Sequence, residues 1–312
     1  MKYKYLFGPV PSRRLGMSLG IDLVPSKVCS MNCIYCESGA TNNLTLERKE
    51  YINIDEVIVE LDQFIAENNK LDCITFSGAG EPLLNSRLGD LINYIKSKYP
   101  QYRLALITNS TLLYKKEIRD EIKKIDLILP SLDAVGEKAY LKLTRPQKDL
   151  TVDKIIEGLI AFRNETDIEM WLEIFFSPGI NDMDEEVDRI TEAVKKINPH
   201  RVQLNTLDRP GVIKSLKPVA RERLEEIAEK FSPLHVEVVA KVKSKTTDSA
   251  KINDIEDKII STIIRRPVTA NDLAQTFGVE LEIVLSAISK LINNNKIIEE
   301  KLERGIFYKV KK

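Results

Sequence analysis

The chain has 312 residues, which suggests about two domains, and its 43% apolar content is enough for a sizeable core. Lysine plus arginine equals aspartate plus glutamate at 47 each, so no overall field points to nucleic acid or a membrane surface. There is no apolar run of about eighteen residues and no signal-like h-region, and the few cysteines in so long a chain argue against a disulfide framework; these features predict a cytoplasmic protein with free thiols.

Residues 1–16 read as an irregular lead-in, because Gly8-Pro9-Val10-Pro11 blocks regular structure. Arg13 and Arg14 follow. Their planar guanidinium groups suit either solvated surface or a clamp for a substrate carboxylate or phosphate. A predicted first strand at 17–23 runs into Cys29-Ser-Met-Asn-Cys33-Ile-Tyr-Cys36, which holds three of the four cysteines. Structural zinc would use paired C-x-x-C units or histidines, and His200 and His235 are far away in sequence. A redox pair would use Cys33 and Cys36 and leave Cys29 unexplained. A cubane iron–sulfur cluster normally takes four cysteines, so three thiolates would leave one iron open to a non-protein ligand.

This loop resembles that of the radical S-adenosylmethionine (radical SAM) superfamily, C-x-x-x-C-x-aromatic-C, with Tyr35 at the aromatic position. The resemblance implies a [4Fe–4S] cluster on Cys29, Cys33 and Cys36, with S-adenosylmethionine on the fourth iron. It also implies reductive cleavage to a 5′-deoxyadenosyl radical by an oxidoreductase that needs a donor of flavodoxin or ferredoxin type. The lead-in Gly-Pro-Val-Pro-Ser-Arg-Arg-Leu-Gly resembles one branch of that superfamily, Fe–S oxidoreductases related to the tRNA wyosine-base synthase, and suggests RNA as substrate. That synthase carries further cysteines for a second cluster, whereas only Cys73 is left here, and it reads as a small core residue.

From Met17 to Thr206 strands alternate with helices. Strands are predicted at 17–23, 72–77, 102–107, 126–131, 168–176 and 201–206, and helices at 54–69, 87–98, 114–124, 151–163, 183–196 and 217–230. Asp55 reads as the first helix's start signal and Thr151 as that of the fourth. The units imply a parallel α/β sheet with right-handed crossovers, too few to close an eight-stranded barrel. A partial (β/α)6 barrel follows, the fold that the resemblance also implies.

In the fifth strand Ile168, Met170, Leu172 and Ile174 form one face, and Glu169, Trp171, Glu173 and Phe175 the other, which should line the lumen. The same alternation puts Asp22, Thr75, Ser77, Asn109, Ser131, Asp133, Gln203 and Asn205 on the lumen side or its rim. After the second strand, Ser77-Gly78-Ala79-Gly80-Glu81-Pro82 has two glycines that allow close backbone approach and a carboxylate suited to an ammonium group. It resembles the superfamily's Gly-Gly-Glu-type element, which implies that Gly78, Ala79, Gly80 and Glu81 bind the amino group of S-adenosylmethionine. Asn109, Ser131 and Asp133 are candidates for its ribose or carboxylate, with helix capping as the alternative. Arg145 and Arg209, on loops after the fourth and sixth strands, are candidates with Arg13, Arg14 and Glu173 for holding substrate, an anionic one in the case of the arginines. Ser177–Asp182 reads as a structural turn capping the fifth helix.

Residues 234–240 fit one more strand, and the basic stretch 241–251 reads as a linker. In 252–312, Asn253 and Glu256 form a capping box for a helix to about Arg265. A second helix starts at Pro267-Val-Thr269 and ends at Gly278, a third runs over 280–293, and a hairpin 297–310 turns at Arg304-Gly305. This order resembles a winged helix, which implies DNA binding through the third helix. The segment from Lys251 carries 11 basic and 9 acidic residues, and Glu280 and Glu282 open that helix, so strong DNA binding is disfavoured and a protein, an RNA or the barrel itself is the expected partner. Two functions result: a radical SAM enzyme acting on an RNA base, a peptide or a small anionic metabolite, or an iron–sulfur redox sensor that reads DNA.

Overall fold

The structure, a computed structural model, describes residues 3–12, 14–67, 71–209, 211–239, 255–264, 267–302 and 305–311. Arg13, the 241–251 linker, Asn253 and the Arg304 turn position lie outside the described residues. In chain order the elements are β1 (Leu6–Ser12), β2 (Gly16–Ile21), β3 (Val28–Cys29), β4 (Asn43–Leu44), α1 (Ile54–Glu67), β5 (Cys73–Phe76), a 3₁₀ turn (Pro82–Leu84), α2 (Leu88–Lys98), β6 (Arg103–Thr108), α3 (Lys116–Glu121), β7 (Leu127–Pro130), α4 (Glu137–Thr144), α5 (Val152–Glu165), β8 (Glu169–Phe176), α6 (Asp184–Ile197), β9 (Arg201–Thr206), α7 (Arg221–Lys230) and β10 (Val236–Val238). Then follow α8 (Ile255–Ile263), β11 (Val268–Thr269), α9 (Ala270–Phe277), α10 (Leu281–Asn293), β12 (Ile297–Leu302) and β13 (Gly305–Val310).

The main sheet has eight strands in the order β1-β2-β5-β6-β7-β8-β9-β10. All neighbours from β2 onward are parallel, and β1 runs antiparallel on β2. The six strands expected from sequence are present in one α/β partial barrel. Three features differ from the expectation. The lead-in is not irregular but forms β1, at the end of the sheet where proline is tolerated, with a register shift between Phe7 and Val10 that absorbs Gly8-Pro9. An additional helix, α4, follows β7. The cap of α1 is Asn53, whose side chain accepts from the N–H groups of Asp55 and Glu56, rather than Asp55 itself. Thr151 caps α5 as expected.

The two faces of β8 separate the two parts of the core. Met170, Leu172 and Ile174 pack with the helices in the large apolar cluster. On the opposite face Trp171 joins Cys73, Ala105, Leu127 and Leu129 of neighbouring strands, with Leu15 from the turn before β2, in a second cluster. This cluster floors the lumen, and Cys73 is a small core residue within it, as its sequence setting suggested. The guanidinium groups of Arg201 and Arg103 lie 4.5 Å and 5.6 Å from the Trp171 ring, and its indole N–H donates to Glu169 at 2.7 Å. Thr108 at the end of β6, Glu173 in β8 and Asn205 in β9 stand nearer the C-terminal strand ends.

Residues from Ile255 onward build a separate apolar cluster around Ile259, Leu273, Val284, Leu291, Ile297 and Tyr308. The order is helix–strand–helix–helix–strand–strand, with an antiparallel sheet β11-β13-β12. Pro267-Val-Thr269 does not begin the helix but leads through β11 into the Thr269–Asp272 capping box of α9, which Gly278 ends at φ +64°. Among the described residues no helix is long and apolar enough to cross a membrane.

Leu172 is fully buried between sheet and helices. Leu172→Ala should therefore lower unfolding stability by about 2–5 kcal/mol in urea melts, whereas Glu169→Gln, on the half-exposed opposite face, should leave the midpoint nearly unchanged.

Candidate active site

The cysteine loop leaves β2 and is held from several directions. β3 and β4 pair in parallel, Val28 with Asn43 and Cys29 with Leu44. The N–H groups of Asn32 and Ile34 donate to the carbonyls of Thr144 and Leu143, both at 3.0 Å, and Gln147 N–H donates to Ser30 O at 3.0 Å. The loop thus rests on the C-terminal end of α4, the helix that sequence reasoning missed. From the other side Ile213 N–H donates to Ile34 O at 3.0 Å, and a Cβ on Gly211 would come within 2.8 Å of the Tyr35 backbone.

The loop after β5 is joined to the cysteine loop by backbone. Lys27 N–H donates to Ala79 O at 2.9 Å, and Glu81 N–H to Val28 O at 3.1 Å. A Cβ on Gly80 would stand 2.2 Å from that same Val28 oxygen, so only glycine fits. Gly78 is exposed and adopts φ +140°. Glu81 turns inward. Its carboxylate is buried and accepts from Leu83 N–H at 3.0 Å, Thr108 Oγ1 at 2.7 Å and Asn109 N–H at 2.8 Å. Burial pushes this carboxyl up to about 7, against the pull of its three donors. The loop offers an incoming amine its backbone more readily than this saturated carboxylate.

Asn109 then reaches the thiols, its amide donating to Cys29 Sγ at 3.4 Å and Ser30 Oγ at 2.9 Å. Lys27 Nζ donates to Cys36 Sγ at 3.2 Å. Burial pushes the Cys29 thiol up to about 12 and the Cys33 thiol well above its usual range, so a bound cation is what would favour their thiolates. Among the described residues no three His, Cys, Asp or Glu side chains converge on a single-ion position. Three thiols stand on one loop, and two of them, Cys29 and Cys36, receive N–H donors, as cluster-ligating sulfurs commonly do.

Tyr35 joins the loop to the far side of the sheet. Its ring stacks on Phe175 with centroids 3.9 Å apart and planes 11° apart, and its hydroxyl donates to Asp133. Asp133 also accepts from Phe175 N–H at 2.9 Å, and burial pushes its carboxyl up to about 6. Below it Asn181, which sequence reasoning left in a capping turn, donates to the carbonyls of Asp133 at 2.6 Å and Phe175 at 2.7 Å. It thereby ties the ends of β7 and β8 together. Ser131 lies beside Glu173 in an isolated bridge, with its carbonyl accepting from Ser110 Oγ at 2.9 Å.

The residues expected to hold substrate are distributed differently. Arg14 and Glu173 form an ion pair with each other, Arg14 also donates to Gln203 at 2.7 Å, and Asn205 donates to Glu173 at 3.1 Å. Arg209 donates to Glu37 at 3.2 Å, and its Nε lies 4.0 Å from Asp272 at the start of α9. Arg145 is exposed and serves as the left-handed C-cap of α4, with φ +44°. The structure therefore brings Arg14 and Glu173 together inside the lumen, while Arg145 stands exposed beside the cysteine loop, its carbonyl accepting from Asn32 N–H at 3.1 Å.

The sequence pattern of the Radical SAM superfamily matches residues 23–194. A UPF0026 protein of Methanocaldococcus jannaschii is 33% identical over 97% of this chain and 94% of its own length. A Brachyspira hyodysenteriae protein called GTPase Obg is 39% identical over 99% of this chain, which spans 46% of that protein's length. The present sequence has no Gly-x-x-x-x-Gly-Lys-Ser/Thr pattern. Among solved structures, a radical SAM methyltransferase from Sphaerobacter thermophilus superposes with a TM-score of 0.56 at 16% identity, over 71% of this chain and 65% of the other. SuiB of Streptococcus suis, solved with S-adenosylmethionine bound, gives 0.53 at 14% identity over 71% and 50%.

Two outcomes follow from this geometry. Gly80→Ala must push Val28 and the cysteine loop apart, so iron uptake on reconstitution should fall several-fold, measured by iron content and visible absorbance. For Glu81 the folded-state value of about 7 lies above the ordinary 4.5, so the folded protein binds the proton more tightly. Its stabilising contribution is full below 4.5 and is lost as pH rises towards 7. Urea melts of cluster-free protein across that window should show stability falling, with a flatter profile in Glu81→Gln.

Proposed function

The chain belongs to the radical SAM superfamily, and from that premise we propose that Cys29, Cys33 and Cys36 hold one [4Fe–4S] cluster at which S-adenosylmethionine is cleaved reductively. Proteins of this superfamily use that cluster and that cosubstrate. When bound, they supply one-electron cleavage to a 5′-deoxyadenosyl radical able to abstract hydrogen. The observation that carries the reading is the three-thiol loop, tied through Val28 to Gly80 and Glu81 and through Asn109 to the end of β6.

The chain's own residues bind, orient and shield. The exposed backbone around Gly78 takes the amine of the cosubstrate, and Asn109, Ser131 and Asp133 stand at successive strand ends to meet its polar groups. Tyr35, fixed between Phe175 and Asp133, holds the loop in place from the far side. The apolar floor around Trp171 and Leu129 keeps water from entering opposite the rim, which protects a reactive radical.

The cavity favours a neutral, hydrogen-bonding substrate group over an anion. Arg14 is neutralised by Glu173 and Arg209 by Glu37, while Gln203 and Asn205 add amides beside the first pair. The edge of a nucleobase has this chemistry, so RNA is the substrate class we favour. An electron donor of flavodoxin or ferredoxin type completes the system. We further propose two domains, 1–240 and 252–312 joined by 241–251, the second of winged-helix type; its separate apolar cluster supports this. The exposed Glu280 and Glu282 at the start of α10 weigh against the DNA-reading sensor.

The test is anaerobic reconstitution with iron and sulfide, followed by S-adenosylmethionine and dithionite. Wild-type protein should release 5′-deoxyadenosine, and Cys33→Ala should lose both the cluster absorbance and the product. A reconstituted protein that releases none, or a cluster that survives Cys33→Ala, overturns the reading.

A further inference from the structure

Lys27 stands two positions before the first thiol and is only 8% exposed. Its backbone is fixed on both sides. The N–H donates to Ala79 O at 2.9 Å, and the carbonyl accepts from the N–H groups of Asn42 and Asn43, each at 3.2 Å. At φ +69° it occupies the left-handed region, which residues with a side chain enter at a cost. Glycine would adopt that conformation more easily, so a lysine there calls for an explanation.

The tip of the side chain supplies one. Nζ lies 3.2 Å from Cys36 Sγ, and among the described residues no carboxylate lies within ion-pair distance of it. A buried ammonium is costly unless an anion accompanies it. As a cluster ligand the sulfur of Cys36 would carry that negative charge, 3.2 Å away. The contrast with Cys29 is informative: its donor is the neutral amide of Asn109, at the longer distance of 3.4 Å.

We propose that Lys27 is a positioning residue for electron entry: through a charged hydrogen bond to Cys36 it raises the reduction potential of the cluster. The inference rests on the cluster assignment above. Reduction adds one electron, supplied by the external donor, and so one negative charge. A fixed positive charge at a ligand sulfur stabilises the reduced form more than the oxidised one. Hydrogen bonds to cluster sulfurs and local charge are recognised determinants of such potentials. Lys27 thereby makes reduction by a modest donor easier while leaving the three ligands unchanged.

Redox titration of reconstituted protein, followed by EPR, tests this. In Lys27→Met with matched iron content, the ratio of reduced to oxidised cluster at a fixed potential should fall about tenfold, a midpoint roughly 59 mV more negative for one electron. Lys27→Arg, which keeps charge and donor, should stay near the wild type, and Lys27→Gln, which keeps a donor alone, should fall between. A loaded Lys27→Met with the wild-type midpoint overturns the proposal. If the uncharged variants take up no iron, the wild type decides. Isotopic labelling of lysine nitrogen should then produce a hyperfine coupling to the reduced cluster in pulsed EPR that Lys27→Arg lacks, and its absence overturns the proposal. A wild-type protein that binds no cluster overturns both this and the reading it rests on, whereas a cluster indifferent to Lys27 overturns this one alone.

Discussion

The approach of Gly80 to the Val28 carbonyl is the constraint on which the rest of the site depends. With no Cβ in the way, the loop after β5 lies directly against the cysteine loop, and Glu81 N–H can reach the Val28 oxygen. Once that contact is made, Glu81 points its side chain inward, caps the Pro82–Leu84 turn and gathers Thr108 and Asn109 from β6. Asn109 is then placed with its amide towards Cys29. One missing methyl group thus connects three consecutive segments of the barrel rim. Burial raises the Glu81 carboxyl, but three donors hold it in a single orientation, and orientation is what the neighbouring Asn109 requires.

Charge inside the lumen is handled by pairing. Arg14 comes from the turn before β2 and meets Glu173 in the middle of β8, so the pair spans the cavity rather than lining one wall. Gln203 extends it to Glu237, which also pairs with Arg201, and Arg201 lies over Trp171 on the floor. The network runs from the polar cavity to the sheet edge with both signs represented throughout. A polar interior of this kind specifies geometry more than it adds stability, because each buried charge is offset by its partner.

Much of this was legible in the sequence where a strict period or a local motif carries the information. The period-two alternation of β8 assigned Glu173 and Phe175 to the lumen because parallel strands covered by helices on one face leave no other choice. The cysteine loop and the glycine loop were legible because each is contiguous. What was hidden depends on distant partners. The lead-in looked irregular because Pro9 and Pro11 oppose strand formation, and only its position at the sheet's end makes β1 possible. The inward turn of Glu81 is decided by Thr108 and Asn109, and the pairing of Arg14 with Glu173 by the closure of the barrel. Neither partner is marked by any neighbouring residue. α4 was missed because it is short and begins at Gly136 without a side-chain cap.

The floor and the rim together determine where specificity can reside. Leu15, Cys73, Leu127, Leu129 and Trp171 seal the N-terminal end of the lumen, which leaves the rim as the open end. The chain after β9 lies at that rim: Ile213 is bonded to Ile34, and Gly211 packs on the Tyr35 backbone. The same stretch carries Arg209 and Lys214, which pair towards Asp272 and Glu300 of the C-terminal segment. One short segment therefore touches both the cysteine loop and the C-terminal helices and sheet. A shift of this segment would therefore be felt at the Tyr35 backbone and at Asp272 together.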